Sequence, residues 1–209
     1  MKNGKYSLSG YITRLAILLA LVIVLQIFGS YIRIGTVNLS LVLIPVVLGG
    51  MLLGPLAGTV LGFAFGAVTL VAGITGADGF TNILFAAHPF WTAVICLGKA
   101  TAAGFFPAII YKAISKKNRT AATFVASAAA PVINTGLFII GVLLFVSDTV
   151  TENFVDGTTL MYFLIIVCAG INFIVELLLN LFLTPALIRV TRAIEGAKGN
   201  TEDQKDEEE

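Results

Sequence analysis

The sequence predicts an all-α integral membrane protein with six transmembrane helices and both termini cytoplasmic. Three observations predict it. Of 209 residues, 57% are hydrophobic and 12% are charged, about half the charged share of an ordinary soluble domain. The charge is also confined: between Leu15 and Tyr111 only Arg33, Asp78 and Lys99 carry it, whereas seven of the nine residues from Thr201 to Glu209 do. Finally, apolar runs of roughly 20 residues, the length that crosses a bilayer, recur along the chain. Together these exclude a soluble enzyme, a disordered regulator and a basic nucleic-acid binder. The 21 glycines and 6 prolines suit membrane helices, which tolerate both.

The spans are expected at Leu15–Ile32, Val37–Leu53, Pro55–Thr75, Trp91–Tyr111, Ala121–Val146 and Thr159–Thr184. Only Gly49, Gly50, Gly54 and Pro55 divide the second from the third, so one long broken segment is the alternative there. Breaker-rich loops follow at Gly76–Pro89, Ser115–Thr120 and Ser147–Thr158. The organisation is then a cytoplasmic N-terminus at 1–14, a six-helix membrane domain at 15–192, and a charged cytoplasmic tail at 193–209 that is expected to be disordered.

Orientation follows from Lys and Arg in the loops. With the N-terminus inside, the inner set is Lys2, Lys5, Arg14, Lys112, Lys116, Lys117, Arg119, Arg189, Arg192, Lys198 and Lys205; the outer set is Arg33 alone. The outer loops carry Asp78, Asp148, Glu152 and Asp156 instead. An odd number of spans would separate the Lys116–Arg119 cluster from the C-terminal basic residues. Reading the first span as a cleaved secretory signal would likewise spoil this balance.

Several chemistries are missing. A single histidine leaves no His-based metal cluster and no HExxH zinc site. Cys96 and Cys168 both lie in apolar stretches and read as small core residues. There is no GxSxG elbow. Gly98-Lys99-Ala100-Thr101 lacks the glycine that a phosphate loop needs five residues earlier, where Ala93 stands. No cofactor or metal is expected, and uphill transport would need a partner or an ion gradient.

What remains is a small set of informative residues. Gly58, Gly62 and Gly66 share one helix face, where a neighbouring backbone can approach closely; internal packing is their first reading. Ala16 and Ala20 form a similar AxxxA pair. Lys99 lies roughly 12 Å from the outer end of its span, where a lysine costs about 2.5–3.5 kcal/mol without a partner or cavity. It reads as facing a polar cavity, with a structural salt bridge as the alternative. Asn172, Glu176 and Asn180 recur every four residues and face the bundle interior. Asn172 is roughly 20 Å and Glu176 roughly 26 Å along the sixth span. Glu176 has three open roles: cavity floor, partner of Lys99, or contact to the cytoplasmic half of the bundle. Asn134 follows Pro131, which frees a backbone carbonyl, and irregular backbone at that depth usually lines a cavity. His88, Phe90 and Trp91 close the outer loop, either as interfacial anchors or as a wall that stacks on a ring-bearing ligand. Arg33 is the one outer basic residue, and Asn38 either caps the second span or faces the site.

The stretches Val37-Asn38-Leu39-Ser40, Gly54-Pro55-Leu56-Ala57-Gly58 and Gly62-Phe63-Ala64-Phe65-Gly66, with the six spans and the basic fourth loop, resemble the S components of energy-coupling factor (ECF) transporters. The resemblance covers roughly residues 14–192. It implies the high-affinity substrate-binding subunit of an ABC-type vitamin importer in a prokaryotic plasma membrane. Its implied partners are the lipid bilayer, a transmembrane coupling subunit and two ATPases, without nucleic acid. It implies that Ala16 and Ala20 contact the coupling subunit. The pocket would draw on Arg33 to Asn38, His88 to Lys99, Asn134 and Asn172 to Glu176. Lys99 and Arg33 suit a carboxylate or phosphate, as in pantothenate or a folate; Phe90 and Trp91 suit a flat ring, as in riboflavin or a pyridoxine form. A pantothenate-like or other small acidic vitamin is favoured. The alternative is a stand-alone ion-coupled transporter or small channel using Glu176.

Overall fold

The computed structural model describes residues 8–29, 33–34, 37–38 and 41–206. Those residues are helical apart from short connections and one small strand pair. In order they form α1 (Leu8–Gly29), β1 (Arg33–Ile34), β2 (Val37–Asn38), α2 (Leu43–Leu53), α3 (Pro55–Ile74), α4 (Gly79–Ala87), α5 (Pro89–Ile114), α6 (Arg119–Phe145), α7 (Ser147–Phe154), α8 (Leu160–Tyr162), a π-helix π1 (Phe163–Gly170) and α9 (Ile171–Asp206). Among the described residues, five segments are long and apolar enough to cross a membrane: α1, α3, α5, α6 and the composite Leu160–Thr191.

The second expected span is shorter than the hydropathy pattern implies. Val37 and Asn38 are taken into the antiparallel pairing of β2 with β1. The helix proper is the 11 residues Leu43–Leu53, about 16 Å at 1.5 Å per residue, against a hydrocarbon core of roughly 30 Å. The division from α3 is real, however. Gly54 adopts φ 97°, a left-handed conformation open to glycine at little cost, and Pro55 starts α3. The chain therefore folds back on itself, and a Cβ on Gly50 would stand 3.6 Å from the Gly58 Cα.

The loops Gly76–Pro89 and Ser147–Thr158 each contain a helix rather than plain coil. α4 buries Phe80, Thr81 and Leu84, whose spacing puts them on one face; α7 buries Thr149 and Val150. Both are too short to register as spans. α4 is clasped to the end of α3. The Asp78 N–H donates to the Ala72 carbonyl at 3.0 Å. Thr81 Oγ1 donates to Asp78 Oδ2 at 2.6 Å, and Asn82 Nδ2 donates to the Gly73 carbonyl at 2.8 Å. α9 continues as helix to Asp206, well beyond Thr184.

The four-residue spacing of Gly58, Gly62 and Gly66, a double GxxxG, explains the close contact of α3 with α5. A Cβ on Gly58 would strike the Gly104 carbonyl oxygen, on Gly62 that of Ala100, and on Gly66 that of Cys96. The steps of four on α3 meet descending steps of four on α5, so the two helices run antiparallel with their backbones in contact. Gly50 joins the same crossing through Ala108 and Gly104. α1 lies beside α3, where Gln26 Nε2 donates to Thr69 Oγ1 at 3.1 Å. α6 packs on α5, and α9 on α6. One end of the bundle thus carries α4, α7 and the strand pair (the loop end); the other carries the start of α1 and the α5–α6 connection.

Candidate functional site

Lys99 sits on α5, half-buried, with Nζ 4.7 Å from the centroid of the Phe138 ring on α6. The ring's negative face is a substitute for an anion, worth about 0.5–2 kcal/mol depending on solvation. Phe138 belongs to an aromatic group under α4 and α7. Phe80 lies 5.9 Å from Phe138 and 4.8 Å from Phe154, and Phe154 stacks on Phe163 at 5.8 Å. These rings, with Leu84, Ile95, Val142, Val146 and Val150, fill the loop-end core.

Asn134 lies one turn of α6 from Phe138, on the side away from the loop end, and is buried. Its Oδ1 has no hydrogen-bond partner among the described residues. The same holds for Thr92 Oγ1 on α5 and Ser127 Oγ on α6, at 1% and 0% exposure. Thr92 stands seven residues before Lys99 and Ser127 seven before Asn134, two turns along the same face in each case. Neither was a sequence candidate; that spacing was the available signal, but threonine and serine are too common in membrane helices for it to stand out.

On α9 the polar row is a chain of local contacts. Asn172 Nδ2 donates to Glu176 Oε1 at 3.4 Å, Asn180 Nδ2 to the Glu176 carbonyl at 2.8 Å, and Thr184 Oγ1 to the Asn180 carbonyl at 2.8 Å. Glu176 and Asn180 are each 1% exposed. The π-helix immediately before this row was not legible in the sequence. Wider turns of this kind are rare and often mark functional sites.

The remaining candidates fall elsewhere. Arg33 and Asn38 are opposite each other in the register of β1 and β2. His88 is the hinge between α4 and α5: its N–H donates to the Leu84 carbonyl at 2.8 Å, and its carbonyl accepts from the Thr92 N–H at 3.0 Å. Trp91 stacks flat on Phe145, 4.1 Å between centroids and 6° between planes. Phe90 meets Trp91 edge-on at 5.1 Å and is 69% exposed. This outer aromatic group is two turns along α6 from the Lys99–Phe138 pair. Ala16 and Ala20 are exposed, while Leu18, Val22, Gln26 and Gly29 form the buried face of α1.

The arrangement offers a cation at Lys99 against aromatic rings, and hydrogen-bonding oxygens deeper along α6 and α9. Among the described residues it brings together no nucleophile–base pair. The family model for the substrate-specific component of ECF transporters matches residues 10–188. Among curated proteins, none matches the chain.

Proposed function

The chain belongs to the substrate-specific components of ECF transporters, and on that premise we propose that it captures a water-soluble vitamin between α5, α6 and α9 beneath the loop end. Components of this kind are transport subunits of an ECF importer, not enzymes. The observation that carries the proposal is the pair of buried oxygens without partners among the described residues, Thr92 Oγ1 and Asn134 Oδ1, on the same two helices as the Lys99 ammonium and the Phe138 ring it lies over. Lipid supplies no hydrogen bonds, so polar groups at this depth need an internal partner or a guest.

In this reading Lys99 exchanges its aromatic partner for a carboxylate or carbonyl of the substrate, with Asn134, Asn172 and Glu176 bonding its deeper groups. Arg33 and Asn38 on the strand pair, and His88, Phe90 and Trp91 at the head of α5, form the entrance. A pantothenate-like or other small acidic vitamin suits the cation; riboflavin, a pyridoxine form or a folate are the other members of the class. The bundle crosses the membrane an even number of times, with the 37–53 segment, α2 together with the chain before it, as the sixth crossing and both termini cytoplasmic. That places the basic residues of the α5–α6 connection inside. The exposed alanine pair of α1 meets a transmembrane coupling subunit, and two partner ATPases supply the energy.

Native mass spectrometry of the detergent-purified chain tests this. A retained or added vitamin bound by the chain alone is the expected result. A chain that retains nothing, binds no vitamin and instead moves ions or solute by itself in liposomes would establish a stand-alone transporter in its place.

A further inference from the structure

We infer that the polar row of α9 is a hydrogen-bond-acceptor face that takes the donor end of the substrate. The substrate then lies with its hydroxyl or N–H groups toward Asn172, Glu176 and Asn180 and its acidic or carbonyl end at Lys99. The inference rests on the substrate-binding reading above and fixes the polarity of the ligand within it.

One N–H of the Asn180 amide group donates to the Glu176 carbonyl, the Thr184 hydroxyl donates to the Asn180 carbonyl, and one N–H of the Asn172 amide group donates to Glu176 Oε1. The Asn180 partner is a backbone carbonyl, which only accepts, so the NH₂ of Asn180 points at it and its Oδ1 points away. Asn172 Oδ1 and Asn180 Oδ1 are buried and have no partner among the described residues. α6, which packs against α9, presents more of the same. Its Ala122, Ala126 and Ala130 pack with Val47, Met51 and Tyr111. The adjoining row contains Asn134, whose Oδ1 has no partner among the described residues, and Ser127, whose buried hydroxyl has none there either and can accept as well as donate.

Amide oxygens beside a carboxyl group repel an anion and attract N–H and O–H donors. The amine at this level of the bundle, Lys99, is held at Phe138, one turn nearer the loop end than Asn134. The site therefore has a cationic outer pole and an acceptor inner pole, and an anionic group fits only the outer one. A ligand that is all acceptor would leave the α9 oxygens unsatisfied, a costly state in an apolar interior.

The test uses the full chain in detergent with four probes: pantothenate, pyridoxine and riboflavin, which carry several donors, and nicotinate, which is anionic without one. Binding of a donor-bearing probe, or retention of a donor-bearing compound, is expected, with nicotinate excluded. Asn172→Leu and Ser127→Ala should each weaken that binding tenfold or more; Ser127→Ala should leave the ligand-free Tm unchanged or higher, because it removes a buried oxygen without a partner among the described residues, whereas Asn172→Leu also loses the bond to Glu176 and should lower Tm slightly. Ser127→Ala, one oxygen smaller than the native residue, serves where Asn172→Leu does not fold. Undiminished affinity in these variants, or preferred binding of nicotinate, overturns the inference and leaves the substrate reading standing. A wild-type chain that binds none of the probes and retains no compound overturns both.

Discussion

The α3–α5 seam and the α6–α9 seam are both long antiparallel helix contacts, and they are built by opposite rules. Between α3 and α5 the side chains are removed: Gly58, Gly62 and Gly66 lie against the carbonyls of Gly104, Ala100 and Cys96. Backbone meets backbone, and dispersion and close packing hold the pair without a polar side chain. On α6 and α9 the side chains are kept and are polar. Ser127, Asn134, Glu176, Asn180 and Thr184 are all buried, and several of their oxygens have no partner among the described residues. A seam of the first kind is a rigid frame. A seam of the second kind sacrifices stability, as buried polar groups do when left unpaired, which is reasonable where a guest completes the bonding.

The largest effect expected from breaking this contrast is in the frame. Gly62→Leu places a branched side chain against the Ala100 carbonyl, a backbone atom that cannot swing aside. Overpacking of this type costs about 1–3 kcal/mol or more. The variant should lose its monodisperse peak in detergent chromatography; a variant with wild-type Tm would show that the seam is not closed at Gly62. Next comes a face that belongs to neither seam. Ala16→Leu with Ala20→Leu should reduce reconstituted uptake at least tenfold while Tm and vitamin binding stay at wild-type values. Uptake that survives would remove the alanine pair from the coupling surface.

Lys99→Met tests the outer pole of the polar site. It forfeits a cation–π contact of about 0.5–2 kcal/mol but also relieves a buried charge, so Tm should change little. Affinity for an acidic vitamin should fall about tenfold or more in titration calorimetry. Equal affinity would separate Lys99 from the ligand. The smallest effect is expected at the clasp of α4. Asp78→Ala removes the acceptor of Thr81, worth about 1 kcal/mol, and should lower Tm by roughly 2–4 °C while speeding ligand exchange in stopped-flow measurements. Unchanged exchange would show that α4 does not cover the site.

Legibility differed by residue for physical reasons. The apolar runs of α1, α3, α5 and α6 were plain because a lipid-solvated helix must be apolar along its whole length. The Gly54–Pro55 break and the single face of Gly58, Gly62 and Gly66 were also plain, since both depend on neighbours within a few residues. α4 and α7 look like loops in the sequence because their amphipathic faces are only two turns long. The expected second span overran α2, because a hydropathy run does not show that Val37 and Asn38 pair as a strand with Arg33 and Ile34 before the helix begins. The π-helix left no signal, as its apolar residues fit an α-helix equally well.

Of the candidate site, the sequence alone marked Lys99, Asn134, Asn172 and Glu176 as out of place, because a polar group in an apolar run is conspicuous wherever it points. It could not say what each one faces. That Lys99 lies over Phe138, that Trp91 stacks on Phe145, and that the glycines of α3 close on α5 are pairings between residues far apart in the chain. They are settled when the helices pack, for rotation and depth of one helix against another are properties of the bundle and not of either helix. The oxygens of Ser127 and Thr92 gained meaning in the same way: a hydroxyl in a membrane helix is ordinary until packing has buried it and left it without a partner.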